Sequence, residues 1–458
     1  MSQRTTTNGA SDPHVAVLAF PFGTHAPPLL SIISRLAASA PKTVFSFFNT
    51  EESNNSLLST HKHYFLPNMK PFNVSNGVPE GHVLGGNLLE NIELFIKAAP
   101  DNTRKAVAAA VAETGRKVSC LVNDAFLWFA ADLAAEMEVP WVQCWHSGPN
   151  SLSAHFYTDL IRETVGVEGS EDELLKFIPG MSKVRVGDLP EGVASQSSFS
   201  NIVYSAGLKL EQADVLFINC FEELIPTINT DLNSNFKQLL NVGPFNLISP
   251  PPKIPDTNGC LPWLDMQKPS SVAYIGFGSV AMLSPDELKA MAEVLEASKV
   301  PFIWSIKKSL QESLPNGFLE RTKSNGIVVN WAPQLNVLAH NAVGVFVTHG
   351  GWNSVLESIG CGVPMICRPF FGDQYINGRM IEDVWEIGVI VDGGIFTKTG
   401  LLRCLDLILW QEKGKEIREN VRNLKQVTEK AIGSGGSSME NLKRLVDTVS
   451  RPNQKMLH

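Results

Sequence analysis

A chain of 458 residues is too long for one compact core, and two domains are the expectation. Its 44% hydrophobic content is that of an ordinary globular protein, and a net charge of −8 argues against nucleic acid or an anionic membrane surface as the main partner. Its uninterrupted apolar runs stay short of the ~18 residues a membrane span needs, so integral membrane association is not expected. The N-terminal stretch MSQRTTTNGASDPH is polar and lacks the apolar core of a signal peptide. Seven scattered cysteines, none in a CxxC pair, read as reduced thiols of a cytoplasmic protein. The sequons at Asn54 and Asn73 carry no weight in that compartment.

Apolar runs alternate with helical patterns along the whole chain, the mark of doubly wound α/β domains. The first half offers the strands HVAVLAF, TVFSFF, CLVND, WVQCW and VLFIN. His25 sits in FPFGTHAPPLL, just past the first of these, and Asp124 ends CLVND. Two strand-end residues of one parallel sheet can converge at its carboxyl edge. A His oriented by a carboxylate is a good general base near neutral pH. The alternatives are a turn histidine and an Asp that caps the next helix. His61 and His63, in THKHYFLPN, read as a solvated loop. The Pro- and Gly-rich NVGPFNLISPPPKIPDTNGC reads as an interdomain linker, placing domains at 1–245 and 259–458 with the linker at 246–258. The second half offers SVAYIGFGS, FIWSI, IVVNW, VGVFV, PMICR and VIVD. A last helical stretch, from near Ser438, has the option of packing back across the linker.

The densest chemistry lies between Trp331 and Gln374, in WAPQLNVLAHNAVGVFVTHGGWNSVLESIGCGVPMICRPFFGDQ. Trp331 offers a flat face for a base at a strand end, with Gln334 a nearby amide; ordinary core is the other reading of Trp331. His349 and the pair Gly350-Gly351 sit where VGVFV gives way to the helical NSVLESI. A helix N-terminus there is an anion site, and glycines let a diphosphate approach the backbone. A glycine pair is also what any tight turn uses. Ser354 and Glu357 have the spacing of a capping box, a local device, or face a ligand. Asp373 and Gln374 place a carboxylate beside an amide.

This block resembles, nearly residue for residue, the donor-binding signature of plant UDP-sugar glycosyltransferases. The resemblance implies a GT-B architecture, two Rossmann-like parallel-sheet domains facing a cleft. It implies a donor set of Ser279, Trp331, Ala332, Gln334, His349, Trp352, Asn353, Ser354, Glu357, Asp373 and Gln374, with Glu357 on the ribose hydroxyls. Ser279, in YIGFGSV, is also readable as an ordinary turn serine. By the same resemblance His25 is the base and Asp124 its partner, and the reaction inverts the anomeric centre. UDP-glucose is a co-substrate and no cofactor is implied. There is no DxD triplet for a divalent ion, so no metal is expected, and the leaving diphosphate falls to the helix dipole, backbone N–H groups and His349.

The stretches FPFGTHAPPLL, DAFLWFAADLAAEM, GPNSLSAHFYTDLIRE, NVGPFNL and RPFFGDQ are similar to flavonoid 3-O-glucosyltransferases of plants. A planar polyphenol wants aromatic walls, for which Phe22, Phe126, Phe199 and Phe371 are candidates, and His155 a hydrogen-bond donor. Each Phe has core as its alternative, and His155 an exposed helix face. Three positions depart from the family pattern: Gly350 stands where Cys is usual, Leu89 where some members have a polar residue near the acceptor, and His146 where Thr is common and contacts the sugar. The terminal Gln374 accompanies glucose in the family. The expectation is a monomeric, UDP-glucose-dependent 3-O-glucosyltransferase of anthocyanidins or flavonols. The alternatives are transfer to another plant phenolic and a non-catalytic carrier. A nucleotide-dependent oxidoreductase is disfavoured, because the turns FPFGTH and GFGSVA lack GxGxxG.

Overall fold

The computed structural model describes residues 12–82, 85–86, 88–166, 170–194, 198–250, 255–278 and 283–450, without the side chains of 194, 198 and 199. Two parallel sheets organise it. The first holds β1 (His14–Leu18), β2 (Val44–Thr50), β3 (Met69–Val74), β4 (Cys120–Asp124), β5 (Trp141–Trp145), β6 (Val215–Ile218) and β7 (Leu239–Asn241), in the order β3-β2-β1-β4-β5-β6-β7. The second holds β8 (Val272–Gly276), β9 (Phe302–Ser305), β10 (Gly326–Val329), β11 (Val343–Thr348), β12 (Met365–Cys367) and β13 (Gly388–Ile390), in the order β10-β9-β8-β11-β12-β13.

Every strand read from the sequence is present, and β3 and β7 are additional. Both lie at sheet edges. β3 (MKPFNV) carries Pro71, which an edge tolerates because no neighbour needs its missing N–H. The central strands are buried end to end, as parallel strands covered on both faces must be. On one face Val15, Val17 and Val122 pack with Leu29, Ile32 and Ile33 of the helix Ala26–Ser39. On the other, Ala16, Leu18 and Leu121 meet Phe95 and Ala99 of the helix Leu88–Thr114.

In each sheet the order reverses beside the first strand, between β1 and β4 and between β8 and β11. Ligands of open α/β sheets collect at such switch points, outside the carboxyl ends. The register pairs Leu18 with Asn123, so Asp124 reaches the edge just where β1 turns toward His25.

The helix Ser437–Ser450 returns to the first sheet. Leu442, Leu445 and Val449 join its core, Ser438 Oγ donates to the Gly243 carbonyl at 2.7 Å, and Asn441 Nδ2 donates to the Asn241 carbonyl at 3.2 Å. Among the described residues no helix is long and apolar enough to cross a membrane.

Candidate active site

His25 occupies the position before the helix Ala26–Ser39, whose first turn is set by Pro27. Its Nδ1 lies 2.8 Å from Asp124 Oδ2. The other oxygen, Oδ1, accepts the Phe126 N–H at 3.0 Å, so the carboxylate is held from both sides. The helix that follows, Ala130–Met137, has no side-chain cap, which removes capping as the role of Asp124. Burial opposes the charge on Asp124, but His25 and His146 outweigh it and hold the carboxyl far below the usual range. Burial lowers His25 as well; the charge and hydrogen bond of Asp124, with the charge of Asp373, more than offset it and raise the imidazole above 6.5.

His146 borders a cavity that Asp124 and Asp373 also line. It follows β5, and its Nε2 lies 2.9 Å from Asp124 Oδ2, the same oxygen that His25 engages. One buried carboxylate therefore faces two imidazoles. No local pattern announces this, because it depends on β4 and β5 being neighbours.

A cavity of about 630 Å³ opens in front of His25. Phe22, Leu89, Phe126 and Phe371 line it, as do His349, Ser354 and Gln374 from the second sheet's side. Phe20 belongs to the same wall, edge-on to Phe22 (5.3 Å between ring centroids), Phe126 (5.4 Å) and His25 (5.2 Å). The sequence reading missed it because it ends an apolar run that looks like core. The side chain of Phe199 lies outside the described residues. His155 is buried, not on an exposed helix face, and lines a smaller cavity of about 250 Å³ with Asp124, His146 and Asp373. Burial lowers it to about 4 and keeps it neutral, with its ring beside Trp145.

On the second sheet, His349 fits a slot that only glycine leaves open. A Cβ on Gly351 would stand 2.5 Å from His349 Nε2, and one on Gly278 3.0 Å from its Cε1. Burial lowers His349 to about 4, so it is a neutral donor or acceptor. Gly350 has φ +78°, and a Cβ there would meet Cys367 Sγ at 2.5 Å. The departure from the usual Cys is thus more than a lost thiol: in this chain Cys367 needs the glycine.

The helix Trp352–Cys361 starts at Gly351, which has no side chain to cap it. Ser354 is already inside the first turn, so Ser354 and Glu357 form no capping box. Both instead receive Gln334, whose Nε2 donates to Ser354 Oγ at 3.3 Å and to the Glu357 carboxylate. Burial raises Glu357 to about 7. Trp331, past the end of β10, is 44% exposed, which rules out core. It lines a third cavity, of about 330 Å³, with Ala332, Gln334, Tyr274 and Gly278. Ser279 lies outside the described residues.

The indole of Trp352 borders both cavities that reach His25 and ties the two halves together. Its Nε1 donates to the Asn219 carbonyl at 2.7 Å, and Gly148 packs so closely that a Cβ would stand 2.8 Å from the ring. That side chain joins the two sheets' layers, and its backbone N–H, in the first turn, has no intrahelical partner. Asn353 Oδ1 accepts from Asn219 Nδ2 at 3.2 Å. Asp373 is half-buried and accepts from the Ser147 hydroxyl and from Asn377 Nδ2 at 3.0 Å. Gln374 Oε1 accepts the N–H groups of Phe370 (2.9 Å) and Phe371 (3.4 Å), which uses both lone pairs and leaves its NH₂ for a ligand. Arg379 Nε donates to Asp188 Oδ2 at 2.9 Å, a further tie between the halves.

Comparison with known proteins agrees with this geometry. Residues 255–430 match the family described as UDP-glucoronosyl and UDP-glucosyl transferase. The chain is 57% identical to an anthocyanidin 3-O-glucosyltransferase of Vitis vinifera, covering 99% of each. It is 50% identical to an anthocyanidin 3-O-galactosyltransferase of Actinidia chinensis var. chinensis, covering 98% of this chain and 99% of that one. Among solved structures, a UDP-glucose: anthocyanidin 3-O-glucosyltransferase in complex with UDP superposes with a TM-score of 0.91 at 45% identity, over 96% of this chain and 99% of that one. With paired parallel sheets, a His–Asp pair at one switch point and the glycine-lined helix start at the other, the chain belongs to family 1 of the plant UDP-sugar glycosyltransferases.

Proposed function

We propose that the protein transfers glucose from UDP-glucose to the 3-hydroxyl of an anthocyanidin or flavonol, with inversion. The observation that carries this is the His25–Asp124 pair, set where an aromatic-walled cavity meets the N-terminus of the helix Trp352–Cys361. The cavity size suits a three-ring phenol, since small-molecule sites are typically ~300–1,000 Å³ and largely apolar. His25 Nδ1 is committed to Asp124, so Nε2 takes the acceptor's 3-hydroxyl proton. The oxygen then attacks the sugar anomeric carbon as the bond to the UDP phosphate breaks on the opposite face. Asp124 stabilises the imidazolium that forms. The diphosphate charge is met by the helix N-terminus and His349. Trp331 stacks on uracil, Glu357 receives the ribose hydroxyls, and Asp373 and Gln374 face the sugar. In this reading residues 1–245 hold the acceptor and 259–458 the donor. One chain supplies both sides of the site, which supports a monomer. Seven unpaired cysteines support a cytoplasmic setting. The test is UDP release with a panel of flavonols, anthocyanidins and isoflavones, with products mapped by NMR. No turnover with any 3-hydroxyflavonoid would leave the carrier reading standing.

Base stacking on an aromatic side chain is worth ~1–3 kcal/mol, or roughly 5- to 150-fold in affinity. Trp331→Ala is therefore expected to raise the KM for UDP-glucose within that range and leave the flavonoid KM unchanged. A folded variant with a normal donor KM means that Trp331 is structural only.

Galactose is the second reading of the sugar, favoured by the similarity to the Actinidia galactosyltransferase. Gln374 supports glucose because a Gln at this position accompanies glucose in the family, and its two committed lone pairs leave its NH₂ to donate. A polar site left unpaired by an epimer rejects it, so a preference of about 10-fold or more for UDP-glucose is expected, and Gln374→His should erode it. If the wild type prefers UDP-galactose and His146→Thr restores glucose, His146 sets the sugar.

A further inference from the structure

We infer that His25, Asp124 and His146 form a binding site for a divalent transition cation, with Zn²⁺ as the probe, and that filling it stops sugar transfer. Two imidazoles and a carboxylate are the ligand chemistry of zinc sites that keep one position for water. The three side chains offer His25 Nδ1, His146 Nε2 and Asp124 Oδ2. The first two lie 2.8 and 2.9 Å from that oxygen, and the ligand-capable atoms of the trio all fall within 4.8 Å of one another. Zinc bonds of ~2.0–2.2 Å to nitrogen and oxygen place ligand atoms a little over 3 Å apart, so side-chain shifts below about 1 Å suffice.

The cluster is also prearranged. Asp124 ends β4, His146 directly follows β5 and His25 stands at the start of the helix Ala26–Ser39 that follows β1, and β1, β4 and β5 are neighbours in one sheet. The Phe126 N–H fixes the second carboxylate oxygen, the kind of outer contact that orients a metal ligand. His25 borders both cavities, which supplies an entry path and room for a water.

The ion takes the Nδ1 lone pair of the neutral His25 ring, so the single ring proton, which Nδ1 had shared with Asp124, moves to Nε2. Nε2 then carries that proton and cannot accept one from the 3-hydroxyl. Transfer needs no ion in this scheme; the ion opposes it. The inhibition rests on His25 being the base, whereas the binding does not. His146 is what completes the trio, and the Thr common at this position in the family lacks an imidazole.

The experiment uses the full chain. Zn²⁺ is titrated in competition with a chromophoric chelator, Co²⁺ binding is followed by its visible ligand-field bands, and UDP release is measured against free Zn²⁺. The wild type is expected to bind one ion per chain and lose activity in proportion to occupancy. Changing an outer-shell partner costs about 10–100-fold in metal affinity, so His146→Gln, which removes a ligand, should lose at least that and raise the inhibitory Zn²⁺ concentration in parallel. His146→Thr should behave alike and serves if the Gln variant fails to fold. Unchanged Zn²⁺ affinity in both variants overturns the site, and so does loss of binding in Cys361→Ser, which would move the ion to the least buried thiol. Binding that depends on His146 without inhibition upholds the site and removes His25 as the base.

Discussion

His25→Ala is expected to lose about 10²–10⁴-fold in turnover, the range for removing a general base. The imidazole is the group in contact with Asp124 that also borders the acceptor cavity, and alanine leaves nothing at that place to take the hydroxyl proton. UDP-glucose affinity should hardly change, because the groups proposed to meet uracil, ribose and diphosphate belong to the half built on the second sheet. Stopped assays for turnover and calorimetry for UDP binding separate the two. Donor affinity lost with turnover preserved would sink the assignment.

Asp124→Asn should cost a similar factor by a different route. The amide keeps the volume and can still accept the Phe126 N–H, but its NH₂ turned toward His25 Nδ1 would put the ring proton on Nε2, the wrong tautomer for a base. The pH profile tells this apart from simple misfolding. Activity rises with pH as His25 loses its proton, and in the wild type that limb lies above 6.5, since the carboxylate outweighs burial. Without the charge, burial dominates and lowers the imidazole. The acid limb of kcat/KM should therefore move to lower pH while its plateau falls. A reduced plateau with an unmoved limb would mean that Asp124 does not set the protonation of His25.

Much of the site was readable before any fold was known, and for local reasons. Trp331, His349 and Gly351 are recognisable because a strand end, a turn and a helix start follow one another within a short stretch of chain. Ser354 and Glu357 were not decidable in that way. Their spacing fits a capping box, and only Gln334, brought in from beyond the end of β10, shows that both side chains have a different partner. Gly350 looked like a neutral departure until its left-handed backbone and Cys367 appeared beside it.

By itself the sequence determined the alternation of strands and helices, the central strands of both sheets and the strand-end positions of His25 and Asp124, since periodicity and turn chemistry act over neighbouring residues. It did not reveal β3 and β7, which are short or polar edge strands with little apolar pattern to read. The tertiary structure alone decided which strand ends meet. Strand order set β4 between β1 and β5, so Asp124 received two imidazoles, and packing of the two halves turned Trp352 toward Asn219 and Asp373 toward Ser147. Contacts of that kind join residues far apart in the chain, and their free energy comes from burial and hydrogen bonding that exist only once both sheets are assembled.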